Sequence, residues 1–183
     1  MKRINWQEAP ERELRQEEAG LKARVLRLDN GSREDLTRST EQLLAVLAGE
    51  CDVLRDGGRY RLRAGGWMEL PAGQEAAAHV FRSCGPCVLL QAVSPERGDA
   101  FAVCNLLDQP PMDGAVPFGL ECRGIHGCLA PQAPEDAAFV LPVRWDGETR
   151  QLCLLAGPGD GEAYPAWLKK TCGILWERGV ERR

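Results

Sequence analysis

The sequence predicts a mainly β fold whose short strands close into a barrel or sandwich. Three observations predict it. From residue 24 to residue 93 the apolar residues fall into short runs, either continuous or alternating with polar ones. The runs are punctuated by Asp29-Asn30-Gly31-Ser32, Asp56-Gly57-Gly58 and Ala64-Gly65-Gly66. Glycine and aspartate there suit tight turns because they tolerate a positive φ. About six to eight such strands at this spacing indicate a barrel or sandwich.

In chain order, residues 1–24 are charged and hold few apolar side chains. A short helix from Pro10 to Glu18, stopped by Gly20, competes with an extended arm, and the scarcity of apolar residues favours the arm. Residues 24–29 form a half-buried strand with imperfect alternation, since Val25 falls on the polar face and Arg24 on the apolar one. Residues 43–48 are a continuous apolar strand turned at Gly49. Residues 51–55 and 59–63 flank the Asp56-Gly57-Gly58 turn as a hairpin, with Tyr60 and Leu62 alternating against three arginines. Residues 67–70 form a strand ending at Pro71, and 79–82 with 88–93 read as a further hairpin. Residues 105–136 carry Pro110, Pro111, Pro117, Pro131 and Pro134, so long regular elements are not expected there. Regularity returns in a hairpin over 139–156 turned at Asp146-Gly147-Glu148. A helix follows over 165–178, with Pro165 in its first turn, Gly179 after its end, and Trp167, Leu168, Thr171, Cys172 and Leu175 on one face.

Apolar residues are 44% of the 183-residue chain, enough for a packed core. The formal charge of −4 argues against a sequence-independent grip on nucleic acid. No apolar run approaches the ~18 residues of a membrane span. The N-terminus turns polar at once, unlike a signal peptide, which leads to the expectation of a cytoplasmic protein. Eight cysteines in such a chain read first as thiols, metal ligands or redox groups, because disulfides are disfavoured in that compartment. Cys51, Cys87 and Cys153 sit inside apolar runs and fit small buried hydrophobes.

Two spaced patterns narrow the fold. Gly31 is followed after five residues by Thr37-Arg38-Ser39, then by Gln42 and, six residues later, Gly49. Gly65 is followed after five residues by Pro71-Ala72-Gly73, with Ala76 and Val80 beyond. The glycines and proline resemble the two signatures of the cupin superfamily, over about residues 4–97. Trp6, Pro10 and Gly20 are spaced like the opening arm of some cupins. The resemblance implies a double-stranded β-helix, or jelly roll, formed by residues 1–97, and an extension over 98–183. It also implies a homodimer, since cupins commonly pair through barrel faces or strand edges. The family's metal is held by three histidines and a carboxylate or amide. Thr37, Ser39 and Ala76 stand at the histidine positions here and supply no imidazole. Gln42 alone does not retain a transition metal, and alternation from Ala76 points His79 to the opposite face. The expectation is a barrel without metal or other cofactor, with Arg38, Gln42, Tyr60, Trp67 and Glu69 lining a cavity for an unknown small molecule. The competing expectation is a barrel filled by its own side chains.

Two cysteine groups keep an enzyme in view. Cys84-Gly85-Pro86-Cys87 has the sequence of a thioredoxin active site but lies between strands, where Gly-Pro is also ordinary turn chemistry. Cys104, Cys122, His126 and Cys128 offer three thiolates and an imidazole, a tetrahedral zinc set, or else cysteines that pack under the barrel. Three functions follow: a non-enzymatic ligand-binding or regulatory protein, which the missing histidines favour; a thiol- or metal-dependent enzyme; and a structural partner protein with a filled barrel.

Overall fold

A computed structural model describes residues 1–8, 12–81, 85–105, 115–119, 122–145 and 147–157. Its regular elements are all strands. The first eight are β1 (Lys2–Arg3), β2 (Glu13–Glu18), β3 (Leu21–Leu28), β4 (Arg33–Asp35), β5 (Gln42–Ala48), β6 (Glu50–Arg55), β7 (Gly58–Arg63) and β8 (Gly66–Leu70). Then come β9 (Ala76–His79), β10 (Cys87–Val93), β11 (Ala102–Asn105), β12 (Val116–Phe118), β13 (Ile125–Ala130), β14 (Phe139–Trp145) and β15 (Glu148–Ala156). A six-stranded sheet in the order β11-β8-β5-β10-β3-β2 and a four-stranded sheet in the order β4-β9-β6-β7 make the barrel. A third sheet, β1-β14-β15-β13-β12, covers the outer face of the six-stranded one. No helix among the described residues is long and apolar enough to cross a membrane.

The central strands of the six-stranded sheet are buried on both faces. Leu26, Leu28, Leu44, Val46, Met68, Leu70 and Leu89 point inward and pack with Val53, Tyr60 and Leu62 of the opposing sheet. Val25, Leu43, Ala45, Trp67, Leu90 and Ala92 point outward and pack under Phe118, Phe139, Leu141, Leu152 and Leu154 of the third sheet. Strands covered on both faces read as apolar runs instead of alternating ones. That is why Val25 breaks the alternation of its strand: its face is not solvent but the interlayer core.

Two signature glycines show what the framework is for. Gly49 has φ +75° and lies against the Pro86 carbonyl, where a Cβ would overlap backbone. Gly65 has φ +89°, and the Trp145 indole occupies the space a Cβ would take, so this turn seats the C-terminal layer on the barrel.

Several expectations need correction. Residues 13–18 are extended, as the favoured arm reading has it, and the competing helix does not form; they make an edge strand paired along β3. Residues 79–82 and 88–93 are not a hairpin: β9 starts at Ala76 and pairs with β4 and β6, while β10 lies between β3 and β5. An Ala76-Ala77-Ala78 run carries little β signal, yet it forms a buried inner strand of the four-stranded sheet. The proline-rich stretch contains β12 and β13, with Pro117 in the short edge strand, where a missing N–H is tolerated. The chain also crosses the 97/98 point in both directions, since β11 belongs to the barrel and β1 runs parallel to β14. The 139–156 hairpin forms in full. The helix expected over 165–178 lies outside the described residues.

Candidate functional site at the mouth of the barrel

The two signature segments meet. The Ala76 N–H donates to Thr37 Oγ1 at 3.4 Å, so the positions at which cupins carry ligands are neighbours here and hold a hydroxyl and a methyl. Leu36 fills the adjoining interior and is fully buried. Gln42 is fully engaged: its Nε2 donates to Leu36 O at 2.6 Å, and its Oε1 accepts from Gln91 Nε2. Arg24 continues the ladder, its Nε donating to Gln91 Oε1 at 2.8 Å and its Nη1 to Glu34 Oε1 at 3.1 Å. Gln91 and Arg24 are register partners on β10 and β3, so alternation places both on the inner face. A buried polar group costs stability unless paired, and here each amide atom has a partner. These residues do not fit the family's metal. Thr37 and Ala76 offer no soft or imidazole donor, and a single neutral amide, already hydrogen-bonded in the ladder, does not retain a transition metal. Among the described residues no group of three or more His, Cys, Asp or Glu side chains is placed to hold a metal ion.

Beyond the ladder the inner face opens into a cleft of about 1030 Å³. Lys22 and Arg24 of β3, Gln91 and Val93 of β10, and the Arg38-Ser39-Thr40 segment line it, with Arg15 and Glu17 of β2 and with Lys2. Arg38 is half-buried. Burial, and then the charge of Arg24, hold it below its ordinary value.

Of the five residues expected to line a cavity, Arg38 borders this cleft and Gln42 lies in the ladder behind it. Tyr60 is packed inside the barrel, edge-on to Phe101 with ring centroids 5.6 Å apart. Trp67 and Glu69 are buried and face the other way, Trp67 lying 6.0 Å from the Phe118 ring between the layers. One step of strand parity separates them from Met68 and Leu70, and the sequence does not say which parity points inward. Lys22, Arg24 and Gln91 were not anticipated. Their signal is a polar residue inside an apolar run: Gln91 within Val88–Val93, and Arg24 beside Val25 and Leu26.

The described cysteines lie in different parts of the fold. Cys87 points into the barrel core, while Cys84 lies outside the described residues. Cys122 is buried between the layers, whereas Cys128 packs with Cys153 in a cluster of its own, and the Cys104 side chain lies outside the description. Cys128 and Cys153 are cross-strand partners. Their mutual hydrogen bond lowers the Cys128 pKa and raises that of Cys153. His126 Nδ1 lies 3.1 Å from Gly157 O. His79 faces away from the barrel interior, its ring 4.3 Å from that of Phe81.

Neither a protein-family model nor a curated protein matches the sequence. Solved structures do. A protein described as glyoxylate-induced, from Pseudomonas aeruginosa, superposes with a TM-score of 0.56 at 15% identity, over 77% of this chain and 72% of its own. The Ylba protein from E. coli gives 0.52 at 11% identity, over 76% and 70%. Both superpositions cover about three quarters of the chain, more than the barrel strands alone. A cupin protein from Bacteroides fragilis is also similar, with a TM-score of 0.42 at 16% identity over 46% of this chain and 76% of its own. At such identities the likeness concerns fold alone. With its two signature turns brought together at one end of an antiparallel barrel, the chain shares the fold of the glyoxylate-induced and Ylba proteins, in line with the barrel that the cupin resemblance implies.

Proposed function

We propose that this chain is a metal-independent cupin-fold protein that binds a small molecule at the mouth of its barrel and acts by binding, without catalysis. The observation that carries the reading is the state of Gln42. It stands at the position where the family carries a carboxylate or amide, and its amide is held by Leu36 and by Gln91, which Arg24 holds in turn. The interior beyond it is packed with apolar side chains. The cleft in front of it has the volume and mixed lining of a small-molecule site. The filled interior also supports a second reading, a structural partner protein. A homodimer belongs to either, through an uncovered edge such as β2.

Thermal unfolding of the whole chain separates these readings. A panel of small metabolites should contain compounds that raise the midpoint of the wild type but not of Ser39→Trp, whose indole would occupy the cleft. Manganese, iron(II) and nickel should leave the midpoint in place. A rise with one of these metals that disappears in Gln42→Ala would establish a metal cupin. A panel without any cleft-dependent compound would favour the structural reading.

A further inference from the structure

The charges of the same cleft name a ligand class, and this step rests on the reading that the cleft binds a small molecule. We propose that the ligand carries a carboxylate or phosphate group and that Arg38 is its anchor. The chain as a whole is acidic, at −4. The cleft reverses that balance, with Lys2, Arg15, Lys22, Arg24 and Arg38 on its walls against Glu17. Two of these cations are already matched. Arg15 pairs with Glu13, and Arg24 pairs with Glu13 and Glu34. Asp35 also lies near Arg38, but its Oδ1 accepts from the Thr37 N–H at 2.8 Å. Among the described residues no carboxylate stands within ion-pair distance of Lys2, Lys22 or Arg38.

Arg38 is the most telling of the three. A half-buried guanidinium has given up part of its hydration, and this one has a like charge, Arg24, for a neighbour. In return the described residues give it a single hydrogen bond, from Nη1 to the adjacent Thr37 carbonyl. A cation so placed is costly unless an anion completes it. A guanidinium presents a planar fork that matches a carboxylate or phosphate with two parallel hydrogen bonds. The hydroxyls of Ser39 and Thr40 border the same space and can donate to further oxygens, while Lys22 adds field without fixing geometry. Arg24 is held in place by Gln91 and Glu34. The cleft volume suits a metabolite bearing the anionic group better than a bare ion.

The test is calorimetric titration of the full chain at constant ionic strength with malonate, inorganic phosphate and neutral malonamide. Malonate or phosphate should bind the wild type, and which of the two binds tighter assigns carboxylate or phosphate recognition. Arg38→Ala should weaken that binding about tenfold or more, the loss of a forked ionic contact. Arg38→Lys, which keeps charge and fold but not the fork, should fall between, and Arg63→Ala on the far sheet should leave it unchanged. Equal binding by wild type and Arg38→Ala, with both variants folded by their amide spectra, overturns the proposal. Binding of malonamide as tight as malonate overturns it too, yet leaves a binding cleft standing. If neither probe binds and no neutral metabolite depends on Ser39, the anion and the binding reading fall together.

Discussion

On its inner face the six-stranded sheet packs aliphatic side chains against the four-stranded sheet, and at one end it carries the Gln42-Gln91-Arg24 ladder. On its outer face the same strands pack Trp67, Leu43 and Leu90 under the aromatic and aliphatic residues of the C-terminal sheet, beside the buried Glu69. Both faces exclude water, and the inner one ends in an open cleft. A barrel framework set by glycine turns leaves the side chains free to decide what its interior does. Here Leu36 and the amide ladder lie beside Thr37 and Ala76, and the accessible polar groups line the cleft at the mouth.

The sharpest way to break this comparison is to remove one large residue from each face. Trp67 is 1% exposed and Leu44 is fully buried. Trp67→Ala is expected to cost about 3–5 kcal/mol and Leu44→Ala about 2–5 kcal/mol, read as urea midpoints. A wild-type midpoint for Trp67→Ala would mean that the third sheet does not hold the barrel. A smaller loss is expected from the ladder. Gln91→Leu leaves the Gln42 oxygen and the Arg24 Nε–H without their partner, at about 1–3 kcal/mol. Gln42→Leu combined with Gln91→Leu should cost less than the sum of the single changes, because the two amides satisfy each other. Additive costs would show that the ladder is not one unit.

Two buried carboxylates should titrate in opposite senses. Burial pushes Asp52 up, but the hydrogen bonds from Arg61 and Arg59 outweigh it and hold its carboxyl below the ordinary range. Its contribution is full above the unfolded value of ~3.9 and is lost as pH falls through the lower folded value. Glu41 sits at the seam between the barrel and the third sheet, where one oxygen accepts from the Arg123 N–H at 2.7 Å. Burial raises its pKa, against hydrogen bonds from the backbone of Arg123, Ala100 and Gly124. Its contribution is full below ~4.3 and is lost as pH rises through the raised folded value. The stability advantage of wild type over Asp52→Asn should therefore shrink on acidification, and that over Glu41→Gln on going from acid toward neutral pH. Denaturant titrations across this range check both, and slopes of the same sign would contradict the assignment. The smallest effect belongs to the exposed Arg63–Glu50 pair, 3.0 Å apart: Arg63→Ala should change stability by about 0–1 kcal/mol.

The barrel was legible because its signals are backbone signals. Gly31, Gly49, Gly65 and Gly73 all take positive φ, and a positive φ is what glycine advertises in a sequence. The 139–156 hairpin was legible from its turn and its flanking apolar runs. The faces were not. Trp67 and Glu69 differ from Met68 and Leu70 only in parity, and a strand buried on both sides gives no alternation from which to read it. β9 was hidden by its alanines, and β12 and β13 by prolines and glycines that look like loop. The cleft was half legible: Arg38 came from the signature spacing, but Arg24 and Gln91 come from strands distant in sequence, and only the sheet order makes them neighbours.

In the function proposed above, the position at which cupins hold their metal is closed by this barrel's own side chains. Metal analysis of the full chain, purified without chelator and then exposed to manganese, iron(II) and nickel before desalting, tests it most directly. The account predicts that none of these metals is retained in stoichiometric amount, by the wild type or by a variant with every cysteine replaced by serine. One equivalent of metal per chain, kept by the cysteine-free variant and lost in Gln42→Ala, would contradict it.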